Sequence, residues 1–296
     1  MAFPIVETTN TTDGTGASAS PVVNLPTGIA SGDLLVVLFR TAIGTLGVGW
    51  PTGWTELVES TADASDDAIA IGYRLADGTE GATITLTTSS AKFAAISYRI
   101  SGAEDPATQA PQNSAVAFAA SASPDPASLS PTGGAKDYLW LWMGGWEGEQ
   151  TSPPAGNPTN YTNPLGASSG TAGVVATNCR VASARRTLNI ATEDPPLWTI
   201  SASDDWMAST VAIHPSTVPT ISTATMADAD RNWDTPSQDI EITFSEAMDI
   251  TPAPAVGNTI AGLTVNVNGG ADAALTYVSG NATAIWKARR AELIQQ

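Results

Sequence analysis

The chain has 296 residues, of which 42% are hydrophobic and 14% charged, with 12 Lys and Arg against 29 Asp and Glu, for a formal net charge of −17. This length and apolar content suffice for a packed core, whereas so acidic a surface repels nucleic-acid phosphates and anionic lipid headgroups and therefore argues against both as partners. A single cysteine excludes an intrachain disulfide and a thiolate metal cluster.

Residues 1–105 contain short apolar or alternating runs between turn residues, and this pattern predicts β-strands. The predicted strands cover residues 34–39, 68–74, 82–87 and 93–100. The first of them is continuously apolar, which is typical of a strand buried on both faces. Between the first two strands lies a loop rich in Gly and Trp, in which we interpret Trp50 and Trp54 as packing anchors.

Residues 106–133 are poor in charge and rich in Pro, Ala and Ser, and they fit either a long connection or an edge strand. Residues 134–215 then show a similar pattern, with predicted strands at 135–143, 173–181 and 206–213. The region 1–215 is therefore predicted to be a jelly-roll-like β-sandwich, either one continuous unit or two related halves, 1–105 and 134–215. In the second case we expect each half to give strands to both sheets.

A further set of strand patterns follows Pro215 and Pro219 and spans residues 220–286. Residues 239–244 alternate between polar and apolar side chains, and 263–267 form a second such run, which predicts a small sandwich. The last ten residues, 287–296, are more basic and have good helix propensity. They fit either a frayed tail or a basic peptide that docks on an acidic neighbour.

Several motifs together resemble a module of tailed-bacteriophage structural proteins. They are Ser31 to Leu38, Pro51-Thr-Gly-Trp-Thr-Glu-Leu57, Tyr73 to Gly81 and Ala95 to Ser101, completed by segments around 136–141 and 210–215. The segment Ile240-Glu-Ile-Thr-Phe-Ser-Glu-Ala-Met-Asp249 is similar to the start of bacterial immunoglobulin-like domains, which occur in adhesins and phage fibres. The first resemblance implies a virion role without catalytic residues, and the second implies an immunoglobulin-like domain at 220–286, shorter than usual.

Three tryptophans, Trp140, Trp142 and Trp146, precede the carboxylates Glu147 and Glu149. Carboxylates beside indole rings are typical of sites that bind or cleave sugars. Because two strand residues at i and i+2 share a face, Trp140 and Trp142 fit a core or interface as well as a saccharide-contacting surface. We predict no catalysis here and retain the three tryptophans as candidates for saccharide contact.

The acidic segment around residue 230 is the best candidate for a metal site. Asp228, Asp230, Asn232, Asp234 and Asp239 place oxygen atoms at positions 1, 3, 5, 7 and 12 of a calcium-loop-like register. Position 6 holds Trp233 instead of Gly, and the flanking segments look like strands, so a solvated turn is the competing interpretation. No cofactor is predicted apart from this candidate calcium ion.

The remaining nucleophile patterns argue against an enzyme. The sequence Gly166-Ala-Ser-Ser-Gly170 matches the G-x-S-x-G pattern, but it lacks the preceding strand and following helix of a hydrolase. Cys179 is interpreted as a buried structural thiol in the middle of a strand, and the only histidine, His214, is next to Pro215.

Taken together, these features predict an all-β virion structural protein of the tail, fibre, spike or capsid-decoration type, assembled in the host cytoplasm because no secretory signal pattern is present. Expected partners are other virion proteins, a host cell-surface glycan and further copies of the chain in a homo-oligomer. The alternative is a carbohydrate-binding or adhesive module of a bacterial surface protein.

Overall fold

The computed structural model describes residues 2–42, 47–61, 67–147, 152–170 and 178–216 in full, and beyond residue 216 it describes the backbone of five strands. The chain divides into two compact units, Ala2–Ser216 and Thr217–Gln296. The strands of the first unit are β1 Ile5–Ser18, β2 Val22–Asn24, β3 Leu34–Thr41, β4 Thr55–Ser60, β5 Ala68–Leu75, β6 Thr83–Thr85, β7 Ala91–Ser101, β8 Gln112–Asn113, β9 Ala117–Ser121, β10 Lys136–Glu147, β11 Thr162–Ser168, β12 Cys179–Ile190 and β13 Asp204–Ile213. A four-residue helix, α1 Pro106–Gln109, follows β7.

The first unit contains two antiparallel sheets with sandwich-like packing, so the predicted all-β class is confirmed. The first sheet has the order β1-β7-β3-β5-β4, and the second has the order β11-β12-β10-β13-β8, with β9 also paired to β13. Strands β2 and β6 form a separate pair. The expectation that each half gives strands to both sheets is wrong, because residues 5–101 complete the first sheet before the chain passes to the second.

Successive side chains of a central strand point to opposite faces of its sheet, so each sheet has a hydrophobic layer on both faces. In β3, Leu34, Val36 and Leu38 face the cluster between the sheets, where they meet Leu139, Leu141 and Met143 of β10. The neighbouring residues of each strand point outward into separate clusters. Every residue of β3 is buried. A strand covered on both faces needs a continuous apolar run, which is why its sequence does not alternate.

The two sheets have the same strand order. If their main strands are numbered in chain order, each sheet reads first, last, second, fourth, third: β1-β7-β3-β5-β4 and β9-β13-β10-β12-β11. The registers also correspond, since Leu34 pairs with Ile100 and Leu75, and Leu139 pairs with Ile213 and Thr187. This correspondence assigns each position of one half an equivalent position in the other.

The turn before the third main strand is equivalent in the two halves. Trp54 N donates to Pro51 O at 3.1 Å, and Tyr161 N donates to Pro158 O at 2.9 Å. The residue before each aromatic ring has a positive φ, 86° at Gly53 and 66° at Asn160. Glycine and asparagine adopt this left-handed conformation most readily. The sequences Pro-Thr-Gly-Trp-Thr and Pro-Thr-Asn-Tyr-Thr therefore encode the same turn.

An arginine occupies equivalent positions on the fourth main strand of both halves. Arg74 pairs in register with Leu35, and Arg186 with Trp140. Each arginine binds a glutamate that follows its strand: Arg74 Nε lies 3.0 Å from Glu80 Oε1, and an Arg186 terminal nitrogen lies 2.9 Å from Glu193 Oε1. The same ion pair thus holds the loop after the fourth strand in both halves.

In the second unit the described strands are β14 Ile221–Met226, β15 Asp239–Met248, β16 Thr259–Val265, β17 Ala273–Ser279 and β18 Thr283–Arg290. They form one antiparallel sheet of order β14-β15-β18-β17-β16. Residues 287–290 belong to β18, which pairs with β15 and β17, so the predicted tail over 287–296 does not begin at residue 287. Pairing with two neighbouring strands outweighs the helix propensity of these residues.

Candidate functional site

The predicted saccharide-contacting tryptophans are buried. Trp140, Trp142 and Trp146 each have 0% relative exposure. They lie on the outer face of the second sheet, where Trp142 packs edge-on against Trp198 with ring centroids 5.2 Å apart. Trp198 belongs to a segment whose backbone is hydrogen-bonded to residues 122–129, and this double segment covers the sheet. The interpretation of Trp140, Trp142 and Trp146 as a sugar-binding surface is therefore wrong.

The carboxylate and metal candidates fall largely outside the described residues. Glu147 ends β10, whereas Glu149 is not described. Of the calcium-loop residues, Asp228, Asp230, Asn232 and Asp234 lie outside the described part, and Asp239 is the first residue of β15. Within the described ranges no group of three or more His, Cys, Asp or Glu side chains is arranged to hold a metal ion.

Cys179 is buried and Sγ donates to the carbonyl oxygen of Arg40 at 3.4 Å, in agreement with the predicted structural thiol. It is the first residue of β12 as described, and residues 173–177 of the strand predicted over 173–181 lie outside the described residues. Burial raises the pKa of this thiol to about 12, so it remains protonated at neutral pH.

The only histidine is remote from the thiol. Cys179 pairs with Glu147 at one end of β10, whereas Ile213, the residue before His214, pairs with Leu139 near the other end. Eight residues of strand separate these positions, which corresponds to about 27 Å. The structure therefore does not bring the thiol and the imidazole together.

The serine motif is part of the packing around Cys179. Ser169 is fully buried and accepts a hydrogen bond from Cys179 N at 2.8 Å. Ser168 ends β11, and its backbone N donates to Asp13 Oδ1 at 2.7 Å. The contact between Ser168 and Asp13 ties the edge of the second sheet to the first. The first three residues of the motif belong to β11, so the prediction that it lacks a strand is wrong, and residues 171–177 after it lie outside the described residues.

A buried ion pair of the first sheet lies near the same end. An Arg40 terminal nitrogen lies 2.6 Å from Asp67 Oδ2, and both side chains are shielded from solvent. The aliphatic part of Arg40 crosses to the second sheet, where a Cβ atom on Gly145 would lie only 2.8 Å from Arg40 Cδ. Gly145 thus leaves room for the arginine. The nearby Asp204 has its pKa raised to about 6, mainly by burial.

Strand β9 is an exposed edge with no charge. It pairs with β13 on one side, and no position from 106 to 124 is charged. Phe118 of β9 has 53% relative exposure. The strand is anchored at its end, where Trp206 Nε1 donates to Ser121 Oγ at 2.9 Å. The sequence alternatives for 106–133 are thereby resolved, because residues 117–121 form an edge strand.

The other sheet edges differ from β9 in sequence. The edge strands β1 and β4 each carry two carboxylates, and β11 contains Pro164 beside a shift in register. Charges, prolines and bulges on an edge strand discourage pairing with another chain. Among the described edge strands of five or more residues in the first unit, β9 has neither charge nor proline, whereas the other edges without them, β2, β6 and β8, are only two or three residues long. Strand β9 is therefore the edge most suited to strand addition.

A cleft lies at the opposite margin of the sandwich, between the beginning of β1 and strands β11 and β12. It has a volume of about 270 Å³ and is lined by Phe3, Pro4, Ile5, Leu139, Asn163 and Arg185, among others. Sequence reasoning missed this site. The adjacent arginines Arg185 and Arg186 in an acidic chain were a visible signal, but only the fold brings them beside the N-terminal segment.

Comparison with protein-family models, with curated proteins and with solved structures found no match to this chain. No helix in the described residues is long and apolar enough to span a membrane.

Proposed function

We propose that the protein is a structural component of a tailed-bacteriophage particle and that it assembles through the exposed edge of β9. The sequence motifs that resemble phage structural proteins support the particle assignment. The single structural observation that supports assembly is the uncharged edge of β9, which exposes Phe118 in a chain of formal net charge −17.

Physical chemistry favours β9 as the contact between copies. Two acidic chains repel one another, so an interface between them forms best where the surface carries no charge. A strand edge also offers unpaired backbone N–H and C=O groups, which a second strand can satisfy. Two copies of β9 related by a twofold axis form a continuous antiparallel sheet, a closed arrangement of the kind most homo-oligomers adopt.

The alternative function, a carbohydrate-binding module of a bacterial surface protein, loses its main sequence support. That support was the interpretation of Trp140, Trp142 and Trp146 as a saccharide-contacting surface, and these side chains are buried. The phage assignment does not depend on them.

The test replaces exposed apolar residues of β9 with lysine. Phe118→Lys combined with Ala120→Lys places two charges on one face of the edge. We expect light scattering to show a lower molar mass for this double variant than for the wild-type oligomer. A phage that encodes the double variant should incorporate less of the chain into purified particles, as measured by mass spectrometry. Val22→Lys with Ile190→Lys adds the same charge at other exposed apolar residues and serves as the control.

Two results would contradict parts of this proposal. A double β9 variant that retains the wild-type oligomeric mass excludes β9 as the contact but not a virion role. Absence of the wild-type chain from purified particles of the phage that encodes it excludes the virion role itself.

A further inference from the structure

The cleft beside β1 contains an arginine without a carboxylate partner. Among the described residues, Arg40, Arg74, Arg99 and Arg186 form ion pairs with Asp or Glu. In the part of the chain that the structure describes, Arg185 instead donates a long hydrogen bond, 3.4 Å, from a terminal nitrogen to the carbonyl oxygen of Val6. A half-buried guanidinium without a counter-charge favours an anionic ligand.

The fold does not require an arginine at this position. Arg185 pairs in register with Leu141 and Thr162, and its equivalent in the other half, Tyr73, pairs with Val36 and Thr55. Tyr73 packs against the central hydrophobic cluster. The same site in the same topology is thus filled by a neutral ring in one half, so the cation is a local feature of the second half.

The other residues of the cleft indicate the kind of anion. The lining combines two polar side chains, Thr162 and Asn163, with the apolar side chains of Phe3, Ile5 and Leu139, and we call these two groups the polar and the apolar wall. Asn163 Nδ2 donates to Thr162 Oγ1 at 3.2 Å, and Thr162 Oγ1 donates to the carbonyl oxygen of Arg185 at 3.3 Å, so the polar wall is held beside the arginine. Asn163 has a positive φ of 51° and lies where the register of β11 against β12 shifts. Such bulges re-aim side chains at binding sites. A ligand with hydroxyl groups and one apolar ring face satisfies both walls.

The volume of the cleft and the net charge of the chain restrict the class of ligand further. Pockets for drug-sized ligands have volumes of about 300–1,000 Å³, and at 270 Å³ this cleft is slightly smaller and accommodates one ring. The acidic chain disfavours ligands with several negative charges, since of the two arginines in the described lining of the cleft Arg186 is already paired with Glu193. We propose that the cleft binds a single carboxylated sugar ring, a uronic acid, with Arg185 holding the carboxylate.

In this complex the planar guanidinium binds the carboxylate through two parallel hydrogen bonds. The sugar hydroxyls face Thr162 and Asn163, and the C–H face of the ring lies on the apolar wall. The site is independent of β9, so it operates whether or not the chain is part of a particle. Its ligand class is the uronic acid units of acidic polysaccharides.

The experiment uses saturation-transfer NMR on the full chain, with any affinity tag at the C-terminus so that Phe3 is undisturbed. Glucuronic acid, glucose and cyclohexanecarboxylate are each added to the protein in a separate titration, up to millimolar concentrations. We expect glucuronic acid to bind more tightly than glucose, which lacks the charge, and than cyclohexanecarboxylate, which lacks the hydroxyls. Arg185→Tyr, which introduces the residue of the equivalent position, should weaken glucuronic acid binding by about tenfold to a hundredfold.

Matched variants separate binding from folding. Lys136→Gln removes one positive charge outside the cleft lining and should leave binding unchanged, and Arg185→Gln should weaken it as Arg185→Tyr does. Circular dichroism verifies that each variant is folded. The proposal is overturned by absence of glucuronic acid binding, by equal binding of either reference compound, or by unchanged binding in a folded Arg185 variant.

Discussion

The two sheets of the first unit share a strand order, but their outer faces are covered in different ways. The first sheet is covered mainly by aliphatic side chains and Phe39, under β2, β6 and the loop that carries Trp54. The second is covered by tryptophan and tyrosine side chains, under the segments around 122–129 and 193–200. The same topology therefore tolerates two different outer layers, provided that each buries one face of its sheet.

The difference between the halves also separates structural features from candidate functional ones. Features present in both halves, such as the turns at Gly53 and Asn160 and the Arg–Glu pairs, serve the fold. Features present in one half, such as the uncharged β9 and Arg185, are not needed for the topology. That distinction is why the two proposals rest on β9 and on Arg185.

The aromatic layer should contribute more to stability than the aliphatic layer. Trp142→Ala removes a fully buried indole that packs against Trp198, and we expect it to lower the free energy of unfolding by about 4 kcal/mol. Val37→Ala in the aliphatic layer should lower it by about 2 kcal/mol, because a smaller side chain is lost. Urea denaturation followed by circular dichroism measures both, and a larger loss for Val37→Ala would contradict the comparison.

The ion pair of Arg40 and Asp67 exists in one half only, since the position equivalent to Arg40 is Gly145. Asp67→Asn removes the carboxylate that lies 2.6 Å from the buried Arg40 guanidinium and should lower the free energy of unfolding by about 3 kcal/mol. The double variant Arg40→Met with Asp67→Leu removes both charges and should be more stable than Asp67→Asn. Chemical denaturation of the two variants tests this, and a double variant no more stable than the single one would argue against a charge effect.

The ends of the last strands also differ, with Ser101 in one half and His214, which is 2% exposed, in the other. Burial and, to a smaller extent, Lys136 lower the pKa of His214 to about 4, against a smaller opposing effect of Glu104. The unfolded chain therefore binds more protons than the folded chain between about pH 6.5 and 4, so this histidine makes stability fall as the pH falls through that window.

His214→Gln should remove that dependence. As the pH falls from about 6.5 to 4, the unfolding free energy of the variant should rise relative to that of the wild type by up to about 1.4 kcal/mol per pH unit. Above about pH 6.5 the difference between the two proteins should stay constant. Comparison at each pH cancels the opposite contribution of Asp204, whose raised pKa makes stability fall as the pH rises towards about 6. A difference independent of pH would show that His214 is not held neutral.

The sequence by itself determined the all-β class and the position of most strands, because alternation, β-branched residues and turn signals act over a few neighbouring residues. The predicted strands over 34–39, 68–74, 93–100 and 206–213 all coincide with observed ones. The shared Pro-Thr-x-aromatic-Thr pattern is likewise readable from the chain, since the left-handed residue in it is Gly53 or Asn160.

The tertiary structure decided which sheet each strand joins, what covers the tryptophans, and which arginine lacks a partner. Trp142 is buried by Trp198, and Arg185 lies beside Val6, 179 residues earlier in the chain. Contacts of this kind depend on how distant segments meet, and local side-chain patterns carry no information about them. A row of indoles on a strand therefore predicts an apolar face, whereas its burial depends on a covering segment more than 50 residues away in the sequence.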